Sequence, residues 1–192
     1  SDARLLLEAG NAQLLLSLQQ NGQRQMLQAL PADATPHAVD AAVPPRVASL
    51  PRHGLLPASA VLRKPLRMPA AAEARLREVL GFEIDRQTPF TAAQVYYDVR
   101  LLQRREDGQL DTELVVVPRP LVDALLGPGE TWQQQLDGVD AVDAQGQPLG
   151  VNLLPSALRR QRHDPMRRLN RLLLVAGVVM LVLAAWQLLD NR

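Results

Sequence analysis

Short apolar runs separated by turn residues fill the first thirty positions of the chain. In segment 4–18, "RLLLEAGNAQLLLSL", two apolar triplets flank the turn-prone "EAGN", which predicts a β-hairpin. The next stretch, "QQNGQRQMLQAL", contains Asn21-Gly22, a dipeptide that strongly favours a hairpin turn, followed by a third strand. The chain is therefore predicted to open with a β-meander.

The middle of the chain alternates between connector, strand and helix patterns. Positions 31–57 are rich in Pro and Ala and predict a connector that contains a short helix. "SAVLRKPLRMP" predicts a strand, which Pro65 restricts to a sheet edge or a bend. Over 70–86 the apolar residues recur at helical spacing, so one amphipathic helix is predicted there. Pro89 forces the preceding residue out of the helical conformation and ends this element.

A second group of strand and helix patterns follows. "QVYYDVRLLQRR" and "QLDTELVVVP" are β-rich, and Asp107-Gly108 between them predicts a hairpin turn. "PRPLVDALLG" begins with Pro and ends with Gly127, which is typical of a helix with defined ends. One or two short strands are predicted in "GVDAVDAQGQPLGVNLLP". Residues 1–148 are thus predicted to form an α+β domain built on one mixed sheet.

The most apolar run of the chain lies at 172–189, "LLLVAGVVMLVLAAWQLL". A helix of this length spans about 27 Å, enough to cross a bilayer core. Its apolar character on every side argues against a buried helix of a soluble core. We therefore predict a single transmembrane helix, preceded by an Arg-rich juxtamembrane linker within 149–171.

The charges around this run predict its orientation. Arginines crowd its N-terminal side, namely Arg159, Arg160, Arg162, Arg167, Arg168 and Arg171. By the positive-inside rule, residues 1–171 are expected in the cytoplasm and the C-terminus outside it. Arg167, Arg168 and Arg171 form the predicted membrane flank, where they would contact anionic lipid.

Composition excludes several classes of function. The net charge is +1, and two Trp, two Tyr and two Phe offer few rings for stacking on bases, so nucleic acid is a poor partner. There is no Cys, and no His has a second ligand at metal-binding spacing. The chain begins with Ser1 and shows no secretory signal, so we expect it to start within a longer protein.

No catalytic motif is present in the sequence. Glu83 and Asp85 are two positions apart, so on a helix they do not face the same side, and surface charge is the favoured interpretation. "LLLEAGNAQLLL" has the outline of the phosphate loop of actin-like ATPases, but its acid is Glu8 rather than Asp and no Ser or Thr follows Gly10. An ordinary hairpin is favoured, and neither a catalytic residue nor a cofactor is predicted.

Two segments carry a resemblance to a known family. "LREVLGFEIDRQTPFTAAQVYYDVRL", within 61–126, resembles the cytoplasmic region of the GspL family, the L component of type II secretion systems. "LGVNLLPSALRR", at 149–160 and ahead of a single apolar run, resembles the start of the type IV pilus assembly protein PilN. GspL proteins resemble a PilM-like cytoplasmic domain fused to a PilN-like anchor, and this chain shows both halves in that order.

The resemblance implies a fold and a function. The fold would be a reduced actin-like, RNase H-like mixed sheet with helices, followed by the transmembrane helix. The protein would be a non-enzymatic scaffold of the bacterial inner membrane that recruits the cytoplasmic secretion ATPase, the E component, and couples it to the assembly platform and pseudopilus. The M component would pair with the anchor, the C and F components are further candidates, and a homodimer is expected.

Other outcomes remain open at this stage. The chain could instead be a PilN-like or PilM–PilN-like protein of type IV pilus assembly. From another class of protein, it could be a membrane-tethered nucleotide-binding enzyme of actin-like descent. A small periplasmic ferredoxin-like domain usually follows the span in the resembled family, and we expect it to be absent from these 192 residues.

The resemblance and the charge pattern together give candidate binding residues. The motif residues Val151, Asn152, Leu153, Leu154 and Pro155 are predicted to add as a strand to a sheet edge or to fill a groove, with a plain linker as the alternative. Asn152 and Pro155 would close that strand. The tentative docking residues for the ATPase are Glu83, Asp85 and Arg86 on the predicted helix, and Arg104 and Arg105 at the hairpin tip.

Overall fold

The structure, a computed structural model, describes residues 3–127, 132 and 134–160 of the chain. Within these described residues, no helix combines the length and the apolar character needed to cross a membrane. The predicted membrane helix at 172–189 and its flank of Arg167, Arg168 and Arg171 lie outside the described residues. The predicted transmembrane topology therefore stays a prediction.

The N-terminal meander is present as predicted. Its strands are β1 (Arg4–Ala9), β2 (Gln13–Gln20) and β3 (Gln23–Pro31), each antiparallel to the next. Asn21 and Gly22, with φ of 53° and 74°, make the turn between β2 and β3. Positive φ at both central residues is what a type I′ turn requires, which explains the Asn-Gly pair.

Two parallel strands extend this meander into a larger mixed sheet. After α1 (Pro36–Ala42), strand β4 (Arg52–Leu56) pairs parallel to β1. Strand β8 (Gly138–Ala141) then pairs parallel to β4, which gives the order β3-β2-β1-β4-β8. We call this the large sheet. Residues distant in sequence complete it, since about eighty positions separate β4 from β8.

The insertion between β4 and β8 forms a second sheet. Strands β5 (Leu62–Pro69), β6 (Val95–Arg104) and β7 (Gln109–Pro118) pair antiparallel in the order β5-β7-β6, called the small sheet below. The prediction of one sheet is therefore wrong for the described residues, whereas the α+β class is confirmed. As predicted, Pro65 lies in an edge strand, where a missing N–H costs no ladder bond.

The helix predicted over 70–86 is broken in the structure. Residues Ala70–Arg75 form a 3-10 helix, which is followed by α2 (Leu76–Gly81) and α3 (Ile84–Gln87). Thr88 is extended, with φ −135° and ψ 161°, as expected before Pro89. The remaining helix, α4 (Arg119–Leu126), ends at Gly127, whose φ is 79°.

Strand β7 is buried on both faces and links two parts of the core. Leu114 and Val116 pack with Leu80 of α2 and Ile84 of α3 on one face of the small sheet. Val115 and Val117 point to the other face and join the core that also holds the inward side chains of the large sheet. This double burial explains the apolar run "LVVV", because a strand covered on both faces needs no polar alternation.

Candidate partner-binding surfaces

The motif segment Leu149–Pro155 runs antiparallel along the free edge of β8. The N–H of Leu149 donates to the carbonyl of Ala141 at 2.8 Å, and the N–H of Leu153 donates to that of Val139 at 2.7 Å. The segment has no regular strand conformation in the structure. The side chains of Val151, Leu153 and Leu154 are nevertheless buried in the main core.

Side chains replace the missing ladder bonds between this segment and β8. Asp140 is fully buried, and its carboxylate accepts hydrogen bonds from the backbone N–H groups of Gly150 at 2.9 Å and Val151 at 3.2 Å. It also accepts from its neighbour Ala141 at 2.8 Å and from Nη2 of Arg4 at 2.8 Å. A buried carboxylate is stable only when it is paired and hydrogen-bonded in this way.

Asn152 lies at the centre of the segment, whereas the sequence analysis predicted that it would close a strand. Its Oδ1 accepts from the N–H groups of Val139 and Leu154, both at 3.2 Å. Its Nδ2 donates to the carbonyl of Asp137 at 3.2 Å. One amide side chain thereby satisfies backbone groups on both β8 and the motif, because it carries an acceptor oxygen and a donor nitrogen together.

The small sheet holds the same segment from its other side. The backbone N–H of Asn152 donates to Oδ2 of Asp98 on β6 at 2.7 Å, and Nη1 of Arg100 donates to the carbonyl of Leu149 at 2.8 Å. Nε of Arg100 also donates to Glu113 on β7 at 2.6 Å. The motif segment is therefore bonded to both sheets.

These partners of the motif were not identified from the sequence. Asp98 and Arg100 are 54 and 49 positions away from the residues they bind, and no local pattern reports such distant pairs. Asp140 did leave a signal, because it is an acid within the apolar run "GVDAV" of a buried strand. A charged residue in such a run indicates a buried partner.

His53 on β4 lies beside this network. Burial, together with a smaller effect of the positive charge of Arg4, lowers the pKa of His53 from 6.5 to about 4. Its Nδ1 atom is buried without a hydrogen-bond partner among the described residues. A Cβ atom on Gly138 would lie 2.5 Å from Cδ2 of His53 and 2.6 Å from Nδ2 of Asn152, so only glycine fits between these side chains.

The tentative docking residues on α3 are mostly engaged within the domain. Glu83 precedes α3 and accepts from Arg86 at 3.2 Å and from Gln87 at 3.3 Å. Asp85 accepts from the backbone N–H of Ala92 at 2.9 Å and so fixes the loop that leads to β6. Arg86 and Asp85 are both exposed, and 75% of the Arg86 side chain is accessible to solvent.

The predicted basic tip of the β6–β7 hairpin is neutralised by neighbouring acids. Arg104 pairs with Glu73 of the 3-10 helix, and this contact lowers the pKa of Glu73 and raises that of Arg104. Arg105 pairs with Asp107 at 3.3 Å and with Asp111 at 3.5 Å. All these side chains are at the surface, so the pairs contribute little stability. The ion-pair partners of Arg104 and Arg105 differ from that of Arg86, so the structure does not join the two predicted docking regions.

An exposed aromatic side chain next to Glu83 was not identified from the sequence. Phe82, at the end of α2, has 77% of its surface exposed. Helical spacing places position 82 outside the apolar stripe of α2 and α3, so the periodicity indicated its exposure, but the sequence analysis did not single it out. Aromatic residues are enriched among those that dominate binding energy at interfaces, so Phe82 joins Arg86 as a candidate contact.

The described residues contain no group of three His, Asp or Glu side chains placed to hold a metal ion. The polar network around Asp140 and Asn152 holds backbone groups, and the surface ion pairs described above neutralise charge.

Comparison with solved structures gives only partial likenesses. The cytoplasmic domain of EpsL, an inner membrane component of the type II secretion system of Vibrio cholerae, is 16% identical with a TM-score of 0.40, over 65% of this chain and 51% of that one. A PilM-PilN type IV pilus biogenesis complex is 18% identical with a TM-score of 0.43, over 64% and 42%. A Bacteroides thetaiotaomicron protein of actin-like ATPase fold and unknown function is 10% identical with a TM-score of 0.32, over 93% and 77%. TM-scores this low do not establish a shared fold.

Comparison of sequences is more informative. No protein-family model matches the chain. All 192 residues align at 55% identity with the type II secretion system protein L of Xanthomonas campestris pv. campestris. The chain spans about half of that relative's length, 52%. The predicted resemblance to the GspL family is thereby confirmed: along its whole length, this chain is a relative of type II secretion system protein L.

Proposed function

We propose that the chain is a non-enzymatic, single-pass scaffold of the bacterial inner membrane that recruits the secretion ATPase to a type II secretion system. In this proposal the E component binds the cytoplasmic domain. The M component pairs with the predicted span at 172–189, and the C and F components of the platform are further partners. Full-length similarity to a type II secretion system protein L supports this assignment.

The observation that carries the coupling part of the proposal is the double attachment of the motif segment. Asp140 and the β8 backbone hold it on the large sheet, while Asp98 and Arg100 hold it on the small sheet. In the sequence this segment leads directly toward the predicted anchor. A load applied beyond residue 160 would therefore be borne by both sheets together, as a link between a cytoplasmic motor and a membrane platform requires.

We further propose that the large sheet is a reduced actin-like sheet that has lost nucleotide chemistry. A meander of β1, β2 and β3 joined to β4 and β8, both parallel to β1, is compatible with that descent. Glu8, the acid that departs from the actin-like pattern, lies near the end of β1, and its carboxylate pairs with Arg24. That pairing engages the acid in a structural contact.

The recruitment surface is proposed to centre on Phe82 and Arg86. Both side chains are mostly exposed, and the one polar contact of Arg86 named above is a surface ion pair with Glu83 at 3.2 Å, which a partner carboxylate can replace at little cost. An aromatic anchor beside a cation would contribute affinity through the ring and partner choice through the charge. Arg104 and Arg105 are the second proposed surface.

The test is a pull-down with the full 192-residue chain in lipid nanodiscs against the secretion ATPase and the pilus ATPase of the same cell. We expect capture of the secretion ATPase, weakened by Phe82→Ala and Arg86→Glu. Arg46→Glu, on an exposed arginine of the 3-10 helix Pro45–Val47, is the matched control and should leave capture unchanged.

The outcomes separate the alternatives. Capture of neither ATPase would contradict recruitment, and capture of the pilus ATPase alone would favour the pilus assembly protein. Loss of capture with Arg104→Glu and Arg105→Glu, but not with Arg86→Glu, would move the docking surface to the hairpin tip. Saturable binding of ATP by the same nanodisc sample would contradict the non-enzymatic scaffold.

A further inference from the structure

A largely apolar cleft of about 360 Å³ opens beside the large sheet. Strands β1, β2 and β4 contribute Leu7, Leu14 and Gly54 to its lining, and α4 with the chain after it contributes Leu125 and Trp132. A volume of this size, with mostly apolar walls and few polar groups, lies at the lower end of the range found for ligand-binding sites.

Specific features of the sequence shape this cleft. A Cβ on Gly54 would lie 2.7 Å from Cδ2 of Leu125, so glycine at this position lets α4 pack directly against β4. Gly127, with φ of 79°, ends α4 and turns the chain at the mouth of the cleft. The backbone N–H of Trp132 donates to the carbonyl of Leu126 at 2.9 Å, which fixes the backbone of this lining residue close to the end of α4.

Among the described residues that line the cleft, the only charged side chain is negative. Asp33 lines the cleft and is exposed to solvent. Its side chain makes no ion pair or hydrogen bond with a described residue. Thr35 also lines it, but its hydroxyl accepts from the N–H of Ala38 as the cap of α1. No described lining residue is basic. The cleft therefore offers apolar walls beside an uncompensated carboxylate.

We propose that this cleft is a docking pocket for one apolar side chain of a partner protein, adjacent in the partner to a Lys or Arg that pairs with Asp33. Burial of the apolar side chain supplies most of the affinity, because anchor residues in desolvated pockets dominate interface energies. The ion pair at the exposed rim selects among partners and steers association. This pocket is separate from the Phe82 and Arg86 surface, and the inference does not depend on the ATPase proposal.

Trp132 provides a direct reporter of occupancy. The chain contains two Trp, so Trp186→Phe leaves Trp132 as the sole indole. The full chain with this substitution, in lipid nanodiscs, is titrated with the capped dipeptides Ac-Leu-Lys-NH2, Ac-Leu-Glu-NH2 and Ac-Gly-Lys-NH2. We expect a saturable change in Trp132 emission with the Leu-Lys peptide, binding of Leu-Glu weaker by about threefold, as for an exposed ion pair, and no change with Gly-Lys.

Two variants and a control decide the proposal. Asp33→Lys should reverse the preference so that Leu-Glu binds better than Leu-Lys, whereas Asp123→Lys, on the exposed side of α4 and outside the cleft, should not. Ala124→Phe, which fills the cleft from α4, should abolish the response to both leucine peptides. Absence of a saturable response, equal binding of all three peptides, or an unchanged preference in Asp33→Lys would overturn the proposal. Should Ala124→Phe not fold, the Asp33→Lys comparison decides alone.

Discussion

The backbone N–H of Asn152 donates a 2.7 Å hydrogen bond to Oδ2 of Asp98, a residue 54 positions earlier on the other sheet. Asp98 also accepts from Nη1 of Arg77 on α2 at 3.2 Å. A continuous chain of polar contacts therefore runs from the motif segment through β6 to the helix that precedes Phe82. The Asp98 carboxylate therefore contacts both the motif segment and α2, the helix that leads to the candidate docking residue Phe82.

Removal of the Asp98 carboxylate should destabilise the domain. In Asp98→Ala the N–H of Asn152 loses its acceptor in a largely buried position, which costs about 1–3 kcal/mol. We expect urea unfolding of the detergent-solubilised chain, followed by circular dichroism, to shift to lower urea accordingly. Asp98→Asn, which keeps an acceptor oxygen, should lose less, and the exposed Asp123→Ala should lose nothing measurable. Equal stability of Asp98→Ala and Asp123→Ala would contradict this role.

The Arg4–Asp140 pair should be sensitive to loss of its cation. Asp140 is fully buried, so Arg4→Met leaves a buried carboxylate without its charge partner, which costs about 3–5 kcal/mol. The matched control is Arg24→Met, because the Arg24–Glu8 pair has more exposed side chains and should contribute about 1 kcal/mol or less. Thermal unfolding of both variants measures the difference, and similar losses would show that burial of Asp140 is not the cause.

His53 should make stability fall in mild acid. Its pKa is about 4 in the folded chain and 6.5 when unfolded, so between these values the unfolded state binds more protons. Stability from the neutral ring is complete above about pH 6.5 and declines as the pH falls toward 4. Between pH 7 and pH 5 we expect the wild type to lose about 2 kcal/mol more than His53→Gln. The free energies of unfolding at the two pH values test this, and parallel losses in both proteins would be inconsistent with it.

Gly81 should not tolerate a side chain. A Cβ at this position would collide with the Tyr97 hydroxyl and lie 3.1 Å from Cζ of the same ring. Gly81→Ala should therefore lower stability by about 1–3 kcal/mol, the usual cost of overpacking. Combining it with Tyr97→Phe removes the colliding oxygen and should restore part of the loss. Gly10→Ala is the control, since its Cβ would meet its nearest neighbour at an ordinary 3.4 Å.

Local sequence patterns predicted the elements better than their assembly. Asn21-Gly22 and Asp107-Gly108 correctly marked hairpin turns, and Gly127 correctly marked the end of a helix, because each depends on the conformation of a few adjacent residues. The division into two sheets was missed. The division into two sheets arises because β7 pairs with β5 on one edge and with β6 on the other, and is buried on both faces. A run such as "LVVV" does not by itself reveal these partners.

The motif segment shows the same limit at the level of the site. Its alternating apolar residues indicated burial, and Val151, Leu153 and Leu154 are indeed buried. The acceptors that hold its backbone, Asp98 and Asp140, come from elements far away in sequence, so they could be found only from coordinates. Phe82 was missed for a different reason, since helical spacing already places it outside the apolar stripe and only its neighbouring charges were considered.

The place of the small sheet between β4 and β8 has a consequence for biosynthesis. While the first 137 residues leave the ribosome, β4 has one open edge and the core lacks the side chains of 149–154, so the nascent large sheet offers an unpaired template. β8 and the motif close that edge once they emerge from the ribosome. The final folding step of the domain therefore involves the last segments to emerge ahead of the apolar run at 172–189.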